Sequence, residues 1–263
     1  MKTEVIYASV QGAAHKRTNK DNQDSYKILN TDNAIIIAVA DGHGSESCPF
    51  SKDGSRIACE VFCDLLGKLC ASIEPGKLMR TLNRDGDINI SQKIDSEWKR
   101  RVCFHYKEAN NTTQAIDHEA IWRLYGTTLL GLVITPTFYF SYQLGDGDIL
   151  IFFDSKAKYI IDNEKILGVQ THSLSRKDAW KKTITCVERL VDKNSEQIFM
   201  LATDGFSNSY PNEEAFLAAS FDYYDSIMRN GADAVSLHLE EWLNETSEKG
   251  SGDDITVLFL VVG

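Results

Sequence analysis

Three apolar runs in this chain pass abruptly into Asp-Gly: "AVADGHG" at 38–44, "YQLGDGD" at 142–148 and "MLATDGF" at 200–206. A fourth acidic feature, Asp253-Asp254, stands directly before the last apolar run in "GSGDDITVLFLV". Asp-Gly by itself is a favoured turn dipeptide. Several such tips together imply more. If the runs are strands lying side by side, their ends converge and four or more carboxylates crowd one point. Like charges that close repel, and the arrangement is stable only when cations neutralise it. Ligands that are all oxygen select hard cations, Mg²⁺ or Mn²⁺, over zinc. A glycine beside each Asp lets the backbone approach, and its carbonyl can itself bind a cation.

The elements that position these tips follow from periodicity. Alternation in residues 4–10 predicts an opening strand, residues 24–29 a second and the buried run 33–40 a third. Residues 51–73 carry apolar side chains at helical spacing. Residues 74–90 read as a loop holding a short helical turn. A helix over 91–110 follows, with Ser91 as its N-cap, and then a polar connection with some helical character to 125. Residues 126–134, 138–145 and 148–153 read as three strands in hairpin-like succession. A polar, poorly periodic stretch runs from Asp162 to about Asn194. A strand over 196–203, helices over 212–230 and 232–248, and a closing strand from Asp254 complete the chain. Strands in series and helices in pairs favour an antiparallel α+β layered architecture over alternating βαβ units. Pro totals only 4 of 263 residues, with no linker-like stretch, so the whole chain, 1–263, is expected to form one catalytic domain.

Composition narrows the function. A net charge of −10 argues against nucleic acid or an anionic membrane as the main partner. The six cysteines include no CxxC pair and are expected to be reduced core residues. With no signal-like N-terminus and no run long enough to cross a bilayer, the expected location is cytoplasmic.

The ordered set "NQD", "VADGHGS", "GTTLLGLVI", "LGDGDI", "ATDGFSN" and "GSGDDITVLFLV" resembles the motifs of the metal-dependent serine/threonine protein phosphatases, the protein phosphatase 2C family, and most nearly a short bacterial branch. The resemblance implies two packed antiparallel sheets flanked by paired helices. It implies two tightly held Mn²⁺ or Mg²⁺ ions and a third, weaker one. By motif, Asp41 bridges both metals, the Gly42 carbonyl binds one, and Asp204 and Asp253 hold the other. Asp24 contributes directly or through water, and Asp146 matches the third-metal position. Two cations about 3.5–4 Å apart can share a water and lower its pKa enough to give hydroxide near neutral pH. That hydroxide attacks phosphorus in line. His43 then protonates the departing serine or threonine oxygen, its ordinary pKa near 6.5 suiting a general acid. Phosphorylated proteins are the implied substrates, with a cognate serine/threonine kinase as counterpart.

The chain also departs from the family pattern. Gln23 stands where Glu is usual, Arg17 lies further upstream than the usual phosphate-gripping Arg, and Asp254 replaces a common Asn. His15, Arg17 and Lys20 are therefore all candidates to meet the phosphate. "TLNRDGDINISQ" is not a calcium loop, because Thr81 and Gln92 occupy its two required acidic ends, and it reads as a polar turn. "GDGD" is not a dinucleotide loop, because a strand follows it. Arg176, Lys177, Lys181 and Lys182 lie where the family carries a variable flap, with a solvated basic loop as the plainer reading. The rival function is a phosphoprotein-binding module without catalysis, which would be expected to have lost at least one metal carboxylate.

Overall fold

The run Ile35–Ala40 carries no polar residue because both its faces are covered. Ile35, Ile37 and Val39 point into a core between two sheets, while Ile36, Ala38 and Ala40 point under a helix. The computed structural model of the chain describes residues 2–111, 117–153, 156–161, 171–190 and 196–263. Its strands are β1 (Thr3–Val10), β2 (Ser25–Asn30), β3 (Ile35–Ala40), β4 (Leu129–Ile134), β5 (Phe138–Leu144), β6 (Asp148–Phe153), β7 (Lys156–Tyr159), β8 (Ile184–Arg189), β9 (Gln197–Ala202) and β10 (Ile255–Val262). They form two five-stranded antiparallel sheets, in the orders β1-β10-β9-β6-β7 and β2-β3-β4-β5-β8.

The helices are α1 (Ala13–Thr18), α2 (Ser51–Ser72), α3 (Pro75–Asp85), α4 (Ser91–Asn110), α5 (His118–Leu124), α6 (Asp204–Ser207), α7 (Glu213–Asn230) and α8 (Ala232–Lys249). On the second sheet, α2 and α4 cover the outer face through Phe62, Leu66, Ile94 and Trp98. On the first, α7 and α8 do so through Phe216, Ile227, Val235 and Leu239. The result is the expected α+β sandwich of four layers, helices–sheet–sheet–helices. Cys59, Cys63, Cys70 and Cys103 are buried and all six cysteines are unpaired, with the Cys59 and Cys63 thiols directed at the carbonyls of Ser25 and Lys27.

Five expectations are corrected. Residues 74–90 are not a loop. Glu74 caps α3, Pro75 occupies its first turn, and Leu78 and Leu82, one turn apart, are buried. A π-helical turn over Gly86–Ile90, not a polar turn, joins α3 to α4. Ser91 is consequently no N-cap: it lies inside a continuing helix, its hydroxyl donating to the Gly86 carbonyl at 2.8 Å. Strands β5 and β6 do not pair. The chain leaves one sheet after Leu144 and enters the other at Asp148, beside β9. Finally, the stretch expected to be irregular contains β8, an edge strand with half-exposed faces and so little periodic signal. The rest of that stretch, 162–170 and 191–194, lies outside the described residues.

Candidate active site

The acidic tips come together, though not from strands side by side in one sheet. Asp41 follows β3 in the second sheet, whereas Asp146 precedes β6, Asp204 follows β9 and Asp253 precedes β10 in the first. Antiparallel order puts all of these at the same end of the sandwich, together with Asp24 just before β2. The carboxylate of Asp41 is held well above its ordinary pKa by burial and by the charges of Asp24, Asp204, Asp253 and Asp146. Some of its surface still reaches solvent. Asp24 is raised in the same way, by burial first and Asp254 second.

The backbone around Asp41 is fixed by the first residues after Gly126. Thr127 donates its hydroxyl to the Asp41 carbonyl at 2.8 Å. Thr128 receives the Asp41 N–H on its hydroxyl at 3.0 Å and gives its own N–H to the Asp41 carbonyl at 2.9 Å. Gly42 lies so close to the carbonyls of Gln23 and Ser51, 2.7 Å from where a β-carbon would be, that no side chain fits. Gly205 is similarly compressed against the Asp254 carbonyl, which draws the Asp204 turn and the Asp253-Asp254 turn together. Asn208, one helical turn on, steadies the Asp204 carboxylate at 2.9 Å.

Asp254 is the residue that sequence reasoning undervalued. Its two oxygens receive the backbone N–H groups of Gly12 at 2.6 Å and Gln23 at 2.7 Å, and it is buried. It thereby ties the N-terminal segment to the site. The doubled Asp was visible in the sequence, but nothing there distinguished the buried member from the exposed Asp253. Gln23, the substitute for the family's Glu, accepts from Ser51 Oγ at 2.8 Å and donates to the Asp21 carbonyl at 2.7 Å.

The three phosphate-grip candidates part company. His15 Nδ1 lies 2.9 Å from Asp254 Oδ1, without the alignment of a hydrogen bond, and groups with Asp253 and Asp254 within 4.8 Å. Lys20 donates to the Gly44 carbonyl and so braces the tip that carries Asp41. Arg17 is exposed, its guanidinium beside the Gly252 turn. His43 is partly buried against Gly126, whose carbonyl accepts its backbone N–H at 3.0 Å. Burial lowers its pKa below 6.5, Asp146 opposing and Arg176 adding to the effect.

The residues present fit hard cations. Asp24 accepts from Thr203 Oγ1 at 2.8 Å through one oxygen, while the other, Oδ1, is buried with no hydrogen-bond partner. A buried carboxylate oxygen without a donor is costly, and a divalent cation is the partner an all-oxygen cluster of this charge would take.

The protein phosphatase 2C family model matches residues 11–244. The chain belongs to the protein phosphatase 2C family of serine/threonine phosphatases. The matched span ends before Asp253, so that residue's membership of the site rests on its geometry. No curated protein matches the chain in sequence. Among solved structures it is similar to the catalytic domain of the serine/threonine protein phosphatase PstP in complex with two manganese ions, with 14% identity over 99% of each chain and a TM-score of 0.62. The S. agalactiae serine/threonine phosphatase gives 16% identity over 100% of both chains and 0.62. PppA of Pseudomonas aeruginosa gives 14% over 99% of this chain and 97% of its own, and 0.62. At such identities the likeness is one of fold. Among the described residues no helix is long and apolar enough to cross a membrane.

Beside His43 a cleft of about 840 Å³ opens between the tip after β3, helix α5 and residues 171–177. The latter segment is anchored from below. Lys99 Nζ reaches the Lys177 carbonyl at 2.7 Å and Asp95 Oδ2 at 2.8 Å, and lies 4.6 Å from the centre of the Trp122 ring. Burial pushes Asp95 up to about 6 in spite of Lys99.

Proposed function

We propose that this chain hydrolyses phosphoserine and phosphothreonine in proteins, using two Mn²⁺ or Mg²⁺ ions held by Asp24, Asp41, the Gly42 carbonyl, Asp204 and Asp253, with Asp146 serving a third, weaker site. The observation that carries the reading is the convergence of these carboxylates from both sheets on Asp41, with a buried, unpartnered oxygen on Asp24. When bound, the ions activate a water and offset the charge of the phosphoryl group. The protein's own residues do the rest. Thr127 and Thr128 keep the Asp41 turn from shifting as charge changes beside it. His43, half-sheltered on the same tip as Asp41, is placed to hand a proton to the leaving alkoxide, the group that needs one. Arg17 grips the substrate phosphate: its two rivals are turned to the protein, Lys20 to the Gly44 carbonyl and His15 to Asp254. Phosphorylated proteins are the substrates, and a serine/threonine kinase is the natural counterpart.

The test is hydrolysis of a phosphothreonine peptide and of 4-nitrophenyl phosphate with Mn²⁺, with Mg²⁺ and with a chelator. Turnover that needs added metal and returns on replenishment is expected. Turnover that survives the chelator would overturn the mechanism.

A further inference from the structure

A charged pair lies where the helical layer has no need of one. Lys99 and Asp95, one turn apart on α4, are 7% and 4% exposed and bonded to each other at 2.8 Å. The pair is incompletely compensated. Asp95 Oδ1 is buried with no hydrogen-bond partner among the described residues, and burial lifts the carboxyl to about 6. Two apolar side chains of similar volume would pack α4 at least as well. The use of the charge therefore lies outside α4. An ammonium has three N–H donors. One goes to Asp95 and one to the Lys177 carbonyl at 2.7 Å, and the group lies over the Trp122 ring of α5. Lys99 thus joins α4, α5 and the segment 171–177 at one buried point. Helix α5, through Glu119 and Arg123, and residues 175–177 are also the outer lining of the cleft beside His43. Their tie at the surface, Glu119 to Lys177 at 3.2 Å, is exposed and weak. The inner end of the segment is held separately, because Ser173 and Leu174 bond to the backbone of Thr127. Loss of Lys99 would free the outer wall and leave the carboxylate end in place.

We propose that Lys99 is a positioning residue: it fixes the outer wall of the cleft and so sets how firmly the chain flanking a scissile phosphate is held, with no part in holding the phosphoryl group or the metals. This rests on the phosphatase reading above. A substrate chain whose phosphoryl group reaches Asp41 past His43 lies against this wall, whereas a small aryl phosphate need not touch it.

The test compares the intact wild type with three variants. Lys99→Met removes the ammonium. Lys99→Met combined with Asp95→Leu does so without leaving a lone buried carboxylate, and carries the test if the single variant fails to fold. Asp95→Asn disturbs α4 but keeps the ammonium. KM and kcat are measured in saturating Mn²⁺ with a long phosphothreonine peptide and with 4-nitrophenyl phosphate. Ordering a freed side chain on binding costs roughly two- to tenfold in affinity. Both Lys99 variants should raise KM for the peptide by about that factor and leave its kcat, and both constants for 4-nitrophenyl phosphate, near the wild type. Asp95→Asn should leave the peptide KM where it was. Hydrogen exchange at the Arg176 amide, which donates to the Ser173 carbonyl, should quicken in the Lys99 variants, while the Leu174 amide, bonded to Thr127, stays protected. Equal losses on the two substrates, a peptide KM that neither Lys99 variant moves, or one that Asp95→Asn raises as much, overturns the proposal. A wild type that hydrolyses neither substrate with metal would sink the phosphatase reading. The exchange rates still judge Lys99 in that case, and unchanged exchange at Arg176 shows that it does not fix the wall.

Discussion

Asp254 offers the sharpest test of how the site is built, because two effects of opposite sign meet there. Its carboxylate accepts two buried backbone N–H groups, from Gly12 and Gln23. Asp254→Ala leaves both without an acceptor, at about 1–3 kcal/mol each, so roughly 2–6 kcal/mol in all. Removing the charge also relieves repulsion of Asp24, which returns at most a few kcal/mol while no cation is present. With Mn²⁺ bound that repulsion is already offset, and little is returned. Asp254→Ala should therefore destabilise the protein more in saturating Mn²⁺ than in chelator. Asp254→Asn, which keeps one acceptor oxygen, should fall between the alanine variant and the wild type in Mn²⁺ and approach the wild type in chelator. Urea unfolding in the two conditions gives the free energies, and hydrogen exchange at Gly12 and Gln23 reports the local loss. If Asp254→Ala were as stable as the wild type in both conditions, with both amides still protected, the carboxylate would not be what ties the N-terminal segment down.

Further outcomes are expected elsewhere. Asp41→Asn and Asp204→Asn should each abolish metal-dependent turnover in a folded protein, and calorimetric titration should show fewer tightly bound ions. Asp146→Ala should keep the tight sites but lower turnover at limiting metal, and loss of both tight sites in that variant would make Asp146 a core ligand. His43→Ala should slow phosphothreonine peptide hydrolysis by roughly 10²–10⁴-fold and 4-nitrophenyl phosphate clearly less, because nitrophenolate leaves without a proton. For Asp95, whose pKa is raised from 3.8 to about 6, the folded state binds the proton more tightly than the unfolded one. The stability it contributes is present below about 4 and is lost as pH rises through about 6, by no more than ~3 kcal/mol. The cost of Asp95→Asn, from urea unfolding in chelator, should therefore shrink between pH 5 and pH 8.

The layered fold was legible because its central strands are buried on both faces. Ile35–Ala40, Gln197–Ala202 and Ile255–Val262 read as strands because apolar residues fill nearly every position, and α2, α7 and α8 by a sustained apolar stripe. The acidic tips were legible because glycine and aspartate interrupt those runs abruptly. What failed was what depends on partners far away in the chain. Nothing local tells β6 to leave β5 for β9, since a Gly-Asp-Gly turn serves a hairpin or a crossover equally well. The helix α3 was masked by Gly76, Gly86 and a crowd of polar residues, although its two buried leucines sit one turn apart. Thr127 and Thr128 looked like the start of a strand, and only the closure of β4 on β3 turns their hydroxyls and amides to Asp41.

The crossover after β5 is also what makes the site possible. Had β6 paired with β5, Asp146 would stand at the end of the same sheet as Asp41, separated from the Asp204 and Asp253 turns by the sandwich core. Crossing instead sets β6 beside β9, so that Asp146, Asp204 and Asp253 share one sheet end and face Asp41 across the apolar layer of Val39, Leu130, Ile149, Leu201 and Leu258. Asp24 and Asp41, buried and facing neighbouring carboxylates, oppose folding in that position. What resists them is a set of neutral bonds: hydroxyls of Thr127 and Thr203, amides of Thr128 and Asn208, and the backbone donors of Gly12 and Gln23 on Asp254. None of these brings a positive charge to the cluster. Divalent cations bound at the cluster would offset its negative potential, and a phosphate could then be drawn to the same point.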